Sequence, residues 1–223
     1  MISLHRVWKT FEIGPVKLAA LSDVSFTVAK GEFAVVRGPS GAGKTTLLRL
    51  LYRAEIPSQG AVQVAERDLI RLPAADLPAL RRAMGIVFQD AKLLPGRTVY
   101  ENVAFVLRVL GTRRAEIIPR TFTALKAVGL SARAQAYPAQ LSQGEAHRVA
   151  LARAIVKEPV LLLADEPTGN LDEGIAAEIL DLLGDIWTRG TTVLLATHQA
   201  AVARRLGRRT LSLEGGRLVR DSG

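Results

Sequence analysis

The stretch that decides the fold is FAVVRGPSGAGKTTLLRLL, residues 33–51. It opens with a short apolar run, typical of a strand buried on both faces, and it closes with a run that continues as a helix. Between them lies GPSGAGKT, which has Gly38, four residues, then Gly43, Lys44 and Thr45. A glycine-rich loop between a strand and a helix is the P-loop pattern, so the stretch predicts an α/β fold that binds phosphate groups.

Each position of this loop has an expected chemical role. Backbone N–H groups from Ser40 to Lys44 wrap the phosphates, and the Lys44 ammonium reaches the β and γ oxygens and acts in catalysis. The Thr45 hydroxyl is an expected Mg²⁺ ligand. The predicted nucleotide-binding residues of the loop are Gly38, Pro39, Ser40, Gly41, Ala42, Gly43, Lys44, Thr45 and Thr46.

Three other short apolar runs, at 85–88, 160–164 and 193–196, are also predicted strands. Because the carboxyl ends of parallel strands meet at one edge of a sheet, the polar residues that follow them should collect beside the loop. We expect Asp165 to hold Mg²⁺ through water and Gln89 to contact Mg²⁺ or a water molecule. Glu166 is expected to orient or deprotonate an attacking water. His198 is expected to bond the γ-phosphate. Taken singly, Gln89 is better explained as a surface amide and His198 as an ordinary loop histidine or helix-start residue; their joint position at one sheet edge favours the site.

The rest of the chain divides into regions in which apolar residues have the spacing of strands and regions in which they have the spacing of helices. Alternation at residues 24–28 and 62–64 predicts an N-terminal antiparallel sheet. Residues 98–111 predict a helix with a Thr98/Glu101 capping box and a glycine stop. We therefore predict a single domain, in which a mostly parallel core (1–89 and 158–223) carries the antiparallel β subdomain and an inserted helical subdomain (90–157).

The composition limits the classes of partner. The chain has 223 residues, a formal charge of +9 and no cysteine, which excludes disulfides and thiolate metal sites. Its basic residues come in scattered pairs such as Arg81-Arg82 and Arg208-Arg209, which favours solvated faces over one nucleic-acid surface. No leader opens the sequence and no apolar run approaches eighteen residues, so we expect a cytoplasmic chain that meets a membrane only through a partner.

The segment LSQGE, residues 141–145, precedes another predicted helix and has two interpretations. Ser142 and Glu145 fit the N-cap and N3 positions of a capping box. A helix N-terminus also presents free N–H groups and a positive dipole end, which suit a second phosphate site.

The loop, Gln89, LSQGE, LLLADEP (161–167), GNLD (169–172) and His198 together resemble the ATP-binding-cassette ATPases, in order and over nearly the whole chain. The resemblance implies that ATP joins two copies head to tail, so that Ser142, Gly144 and Glu145 complete the nucleotide site of the second copy. It also implies that Asp172 lies near the dimer contact. Phe11 is implied to stack on adenine, with a core role as the alternative and with GTP not excluded. Gln143 and Glu145 depart from the common Leu-Ser-Gly-Gly-Gln form and add bulk and charge, which puts the hydrolysis rate in question.

Within that family, residues 80–105 resemble the cell-division ATP-binding members. These pair with an integral membrane protein and signal to peptidoglycan hydrolases outside the cell. Lipoprotein-releasing and macrolide-exporter ATPases share much of the pattern and are the alternative. A nucleic-acid ATPase is less favoured and no nucleic-acid partner is expected, because the interval from Thr45 to Ser142 is short. Residues 90–100 should receive a cytoplasmic helix of the membrane partner, unless Leu93 and Leu94 pack into their own subdomain.

Overall fold

The computed structural model describes residues 1–169 and 171–222. Asn170, part of the GNLD segment, and Gly223 therefore lie outside the described residues. The strands are β1 (Ile2–Ile13), β2 (Val16–Val28), β3 (Phe33–Arg37), β4 (Gln59–Val64), β5 (Arg67–Asp68), β6 (Met84–Val87), β7 (Leu161–Asp165), β8 (Thr192–Thr197), β9 (Arg209–Glu214) and β10 (Arg217–Asp221). The α-helices are α1 (Lys44–Leu51), α2 (Leu77–Arg82), α3 (Val99–Val109), α4 (Arg114–Ala127), α5 (Gln143–Ile155), α6 (Glu173–Thr188) and α7 (Ala200–Leu206).

The N-terminal sheet is antiparallel, in the order β2-β1-β4-β5. Its register pairs Ile2 with Val28 on one side and with Val64 on the other. The predicted alternation is confirmed, since Val24, Phe26 and Val28 are buried while the residues between them are exposed. Alternation of this kind places one face of each strand on the core and the other in solvent.

The second sheet has the order β10-β9-β3-β8-β7-β6. From β9 to β6 all neighbours are parallel, and β10 adds an antiparallel edge. All five residues of β7 are buried, as expected for a strand covered on both faces. The predicted fold class, a mostly parallel α/β core with an antiparallel N-terminal sheet and inserted helices, is confirmed.

The hydrophobic core consists of two clusters, one on each face of the parallel sheet. Neighbouring residues of β3 divide between them, since Val35 joins one cluster while Ala34 and Val36 join the other. The first cluster packs against α3 to α6, and the second packs against α1 and the antiparallel sheet. Because β3 is fixed from both faces, the loop that follows it has a rigid base.

The part of the chain between β6 and β7 contains the helices α3, α4 and α5. The expected capping box of α3 is present: the Glu101 N–H donates to the Thr98 hydroxyl (3.2 Å), and the Thr98 N–H donates to the Glu101 carboxylate (2.9 Å). The buried Asn102 side chain accepts from the Leu94 N–H at 2.8 Å and donates to the Arg97 carbonyl at 3.0 Å. Leu93 packs against the hydrophobic cluster of its own helices. That contact favours the alternative in which this leucine belongs to its own subdomain.

Several arginines of the basic pairs are held by internal partners. Arg209 reaches Asp221 at 2.6 Å and Glu32 at 2.9 Å, and the Arg208 guanidinium lies 4.0 Å from the centre of the Trp187 ring. The interpretation of these pairs as solvated faces is therefore incomplete, because some of them bind the strands and helices together. No helix among the described residues has the length and apolar character needed to cross a bilayer.

Candidate active site

The glycine-rich loop joins β3 to α1 at the carboxyl edge of the parallel sheet. Gly43 precedes α1 with φ 99°, a backbone conformation that favours glycine, and a Cβ there would lie 2.5 Å from the Ala20 carbonyl oxygen. No side chain caps the first turn of α1. Its N–H groups therefore remain available to a phosphate group.

Lys44 opens α1 and is only 6% exposed. Its ammonium donates to the carbonyl oxygens of Gly38 (2.8 Å) and Pro39 (3.0 Å) and lies 3.3 Å from a Glu166 carboxylate oxygen. These partners compensate the removal of a positive charge from water. In this structure the loop carbonyls and Glu166 thus hold the Lys44 ammonium beside the phosphate loop.

Glu166 directly follows β7 and adopts an unusual backbone conformation. Its φ is 47°, in the left-handed region, which costs about 1–3 kcal/mol for a residue other than glycine. The main chain fixes it, because its N–H donates to the Ala196 carbonyl and its carbonyl accepts from the Gly169 N–H, both at 2.9 Å. The carboxylate accepts from the His198 N–H at 3.2 Å and lies 3.0 Å from His198 Nδ1. The strained turn places this carboxylate between the Lys44 ammonium and the His198 ring.

Asp165 is the last residue of β7 and is 9% exposed. Burial raises the pKa of its carboxyl group, and the neighbouring Thr45 hydroxyl opposes that rise by donating to the charged form. The Asp165 Oδ1 atom has no hydrogen-bond partner among the described residues. A buried carboxylate oxygen without a donor, beside a hydroxyl, is suited to a hard cation or to water bound to one.

Lys44, Glu166 and His198 line one cavity of about 420 Å³. It collects residues predicted from distant parts of the sequence, while Gly38, Pro39, Ala42 and Asp165 lie outside its lining. Ala42 instead belongs to the hydrophobic core. The lining consists of Phe11, Leu18, Ala19, Ala20, Ser40, Gly41, Gly43, Lys44, Thr45, Thr46, Gln89, Glu166 and His198.

The β2 residues in that lining, Leu18 to Ala20, were not predicted. They face the cavity because β2 pairs with β1, so that Leu18 lies opposite Phe11. The signal was the Gly14-Pro15 turn, whose position fixes the register between the two strands. Phe11 itself is partly exposed, lies under the Lys9 ammonium (4.7 Å to the ring centre) and belongs to neither described core cluster. Its position in the lining favours the nucleotide over the core.

The segment LSQGE leads into α5 and does not line this cavity. Ser142 is exposed, and the capping box is present: the Glu145 N–H donates to the Ser142 hydroxyl (3.2 Å), and the Ser142 N–H donates to the Glu145 carboxylate (2.8 Å). The structure therefore does not bring Ser142, Gly144 and Glu145 together with the loop of the same chain. Asp172 caps α6 in a similar way, accepting from the Ile175 N–H at 3.0 Å.

Two contacts at the start of α5 bear on its departures from the common sequence. The Glu145 carboxylate lies 3.0 Å from Arg133, and this hydrogen bond, followed by that from the Ser142 N–H, lowers the pKa of Glu145. Its charge is thus compensated within the chain. Gly144 packs against α6 so closely that a Cβ would lie 2.5 Å from Ile175 Cγ2. The contact with Ile175 is by itself a sufficient reason for glycine at this position.

Comparisons with known proteins show which family this chain resembles. The family model described as "ABC transporter" matches residues 21–169. The chain is 46% identical to the cell division ATP-binding protein FtsE of Streptococcus pneumoniae strain D39 over 99% of its length and 95% of that protein. It is 43% identical to FtsE of Bacillus subtilis (99% and 96% covered) and 46% identical to FtsE of Escherichia coli K12 (89% and 90% covered).

Solved structures resemble the chain over its whole length. The dimeric cassette MJ0796, described as a bacterial ABC transporter cassette, superimposes with a TM-score of 0.91 at 36% identity, covering 100% of this chain and 98% of that one. The same protein in a dimeric post-hydrolysis state, bound to ADP and Pi, gives a TM-score of 0.90 at 35% identity with the same coverage.

Proposed function

Because the chain belongs to the ABC transporter family, in which it is an ATP-binding and ATP-hydrolysing cassette, we propose that it serves a membrane complex of the FtsE type. One observation carries the proposal. The phosphate loop, Gln89, Glu166 and His198 line a single cavity, while the exposed start of α5 lies outside it. Each chain thus holds most of one ATP site and offers the missing part to another chain.

ATP enters the cavity with its phosphates on the loop. The free N–H groups of the loop and of the first turn of α1 bind the phosphate oxygens. The Lys44 ammonium turns from the loop carbonyls towards the β and γ oxygens, which are stronger acceptors because they are charged. Phe11, which also lines the cavity, stacks on the base.

Mg²⁺ accompanies the nucleotide. Two acidic residues, Asp165 and Glu166, follow one another at the end of β7 and lie close to the Lys44 ammonium, so a triphosphate bound here needs a divalent cation to offset the repulsion. Thr45, Gln89 and Asp165 supply only oxygen donors, which is the ligand chemistry that Mg²⁺ prefers. The unpartnered Asp165 Oδ1 supports the assignment. An ion held by these residues would supply positive charge to the bound triphosphate.

Hydrolysis uses Glu166 and His198. The Glu166 carboxylate orients a water and accepts its proton as the water attacks the γ-phosphorus; the bond from that phosphorus to the β–γ bridging oxygen breaks, and ADP is the leaving group. His198 donates to an oxygen of the transferred phosphoryl group, while its contact with Glu166 fixes the position of its ring. Together with Lys44, these residues form the catalytic set.

A second copy completes the site. Its Ser142 and the N–H groups at the start of its α5 face the γ-phosphate held by the first copy, with Gly144 and Glu145 beside them. Glu145 is held in the capping box and by Arg133, so its negative charge is compensated within its own chain. ATP binding therefore closes the dimer, and hydrolysis opens it.

The complex works at the cytoplasmic face of the membrane, with an FtsX-type integral membrane partner, in cell division and control of peptidoglycan hydrolases. The name that the similar FtsE proteins carry supports this role. A groove of about 380 Å³ beside the edge strand β6 is suited to a cytoplasmic segment of that partner, since Ile86, Phe88 and Val106 form apolar walls. It lies between the core (1–89 and 158–223) and the helical subdomain (90–157), so closure of the dimer changes its shape.

The decisive experiment uses Glu166→Gln, which removes the base while keeping size and polarity. With ATP and Mg²⁺ the variant should sediment as a dimer and should hydrolyse ATP at least about 100-fold more slowly than wild type. Glu12→Gln, at an exposed carboxylate in β1, is the matched control and should match wild type. A strictly monomeric Glu166→Gln protein under saturating ATP would contradict the shared site. Co-purification with an exporter or lipoprotein-releasing membrane subunit, in place of an FtsX-type protein, would contradict the division role alone.

A further inference from the structure

The start of α5 is linked to the residue that follows β6 through a buried histidine. His147 is 4% exposed, and its ring lies between two main-chain carbonyl groups. The Nδ1 atom is 2.9 Å from the Gln143 carbonyl oxygen in the same helix, and the Nε2 atom is 3.0 Å from the Gln89 carbonyl oxygen. Gln89 is 58 residues away in the sequence, and its side chain lines the nucleotide cavity.

Both acceptors are carbonyl groups, so each ring nitrogen forms a hydrogen bond only if it carries a proton. The contact within α5 joins residues of one helical turn and adds little to what the helix already fixes. The contact to Gln89 is different, because residues 88–98 form neither strand nor helix. In that irregular segment, the main chain of Gln89 depends on side chains from outside for its position.

A second side chain of α5 holds the same segment. Arg153 donates to the carbonyl oxygens of Ala91 at 2.6 Å and Lys92 at 2.8 Å. His147 and Arg153 therefore bind three carbonyl groups within four residues, at 89, 91 and 92. The segment is attached to α5 rather than to the sheet that it has just left.

We propose that His147 is a positioning residue for ATP hydrolysis, which acts by fixing the main chain of Gln89 so that the Gln89 side chain points at the nucleotide. The proposal rests on the proposed function, in which Gln89 is one of the residues that would hold Mg²⁺. Loss of the Nε2 contact should slow turnover while ATP affinity is retained, because the phosphate loop and Lys44 do not touch His147.

Substitution of His147 by glutamine or by asparagine distinguishes the Nε2 contact from the Nδ1 contact of the ring. In His147→Gln the side-chain amide nitrogen reaches the position of the imidazole Nε2 and donates to the Gln89 carbonyl, whereas the shorter amide of His147→Asn reaches only the position of Nδ1. We therefore expect kcat of His147→Gln within about two-fold of wild type, and kcat of His147→Asn and His147→Leu lower by about three- to ten-fold, the effect of one net hydrogen bond. The dissociation constant for a fluorescent ATP analogue should change by less than about two-fold in all three variants.

Combination with Gln89→Ala tests whether His147 acts through Gln89. Once the Gln89 side chain is absent, His147→Asn should lower kcat no further. A kcat loss of the same size with and without the Gln89 side chain, or equal losses for His147→Gln and His147→Asn, would overturn the proposal and indicate a packing role. A wild-type chain that neither binds nor hydrolyses ATP would refute the proposed function instead, so the two failures are distinguishable.

Discussion

Gly144→Ala tests why a glycine stands at the start of α5. In the structure the new methyl group would lie 2.5 Å from Ile175 Cγ2 and 3.3 Å from Ile175 Cδ1. The first separation is more than 1 Å shorter than a normal carbon–carbon contact of about 3.5–4.0 Å. Either α5 or α6 must shift, and overpacking of this kind costs about 1–3 kcal/mol.

A second effect has the opposite sign. Alanine is favoured over glycine inside a helix by about 0.5–1 kcal/mol, which offsets part of that cost. We therefore expect Gly144→Ala to lower the free energy of unfolding by roughly 0.5–2 kcal/mol. With Ile175→Ala the obstacle is removed, and the same change should become neutral or stabilising by up to about 1 kcal/mol. Ile175→Val keeps Cγ2, so on that background Gly144→Ala should remain destabilising.

Urea denaturation of the single and double variants measures the coupling between the two positions. Equal destabilisation by Gly144→Ala on the wild-type and Ile175→Ala backgrounds would refute the packing argument. ATPase assays then separate packing from nucleotide binding. If Gly144 serves only the contact with α6, Gly144→Ala/Ile175→Ala has the turnover of Ile175→Ala alone; if the methyl group also obstructs the second copy's ATP, turnover remains low although stability is regained.

Three further outcomes are expected. Lys44→Ala should weaken ATP binding by at least about 100-fold in a titration, because it removes the only ammonium lining the described cavity; unchanged affinity would remove the loop assignment. Mixed dimers of Ser142→Arg and Lys44→Ala chains should hydrolyse ATP at no more than about half the wild-type rate, since one site contains both changes and the other neither; full activity would contradict the exchange of α5 between copies. Glu145→Gln should lower stability at pH 7 by about 0.5–1 kcal/mol, and the difference should shrink as the pH is lowered below 4.5. The sign follows because Arg133 and the Ser142 N–H depress the pKa of Glu145 in the folded state, so its contribution is present above the ordinary value of 4.5 and is lost as the pH falls through the depressed one; a difference that grows in acid would contradict it.

The features that could be predicted from sequence are those with a local pattern. The run before Gly38 and the three other apolar runs became adjacent parallel strands because continuous burial is typical of such strands. The Thr98/Glu101 box and the Ser142/Glu145 box were found because capping depends on residues three apart. Gln89, Glu166 and His198 were placed together by the rule that strand ends share an edge.

What could not be predicted depends on contacts between distant residues. Nothing near His147 indicates that its ring meets the Gln89 carbonyl, and nothing near Gly144 indicates Ile175. The internal partners of Arg209, at Glu32 and Asp221, are likewise set by the paths of β9 and β10. A charge count treats such an arginine as solvated, whereas the folded chain uses it as a cross-link between strands.

The position of β3 in the sheet has a consequence for biosynthesis. A long interval of chain follows this strand before its neighbours are made, because both of them, β8 and β9, lie between Thr192 and Glu214. From Arg37 to Thr192 the ribosome adds 155 residues, which takes roughly 8–31 s at about 5–20 residues per second. Throughout that interval the apolar strand β3 of the nascent polypeptide lacks both of the strands with which it pairs. The sheet that carries the ATP site therefore cannot form until β8 and β9 have been made, and chaperones that shield apolar segments have a long opportunity on this stretch.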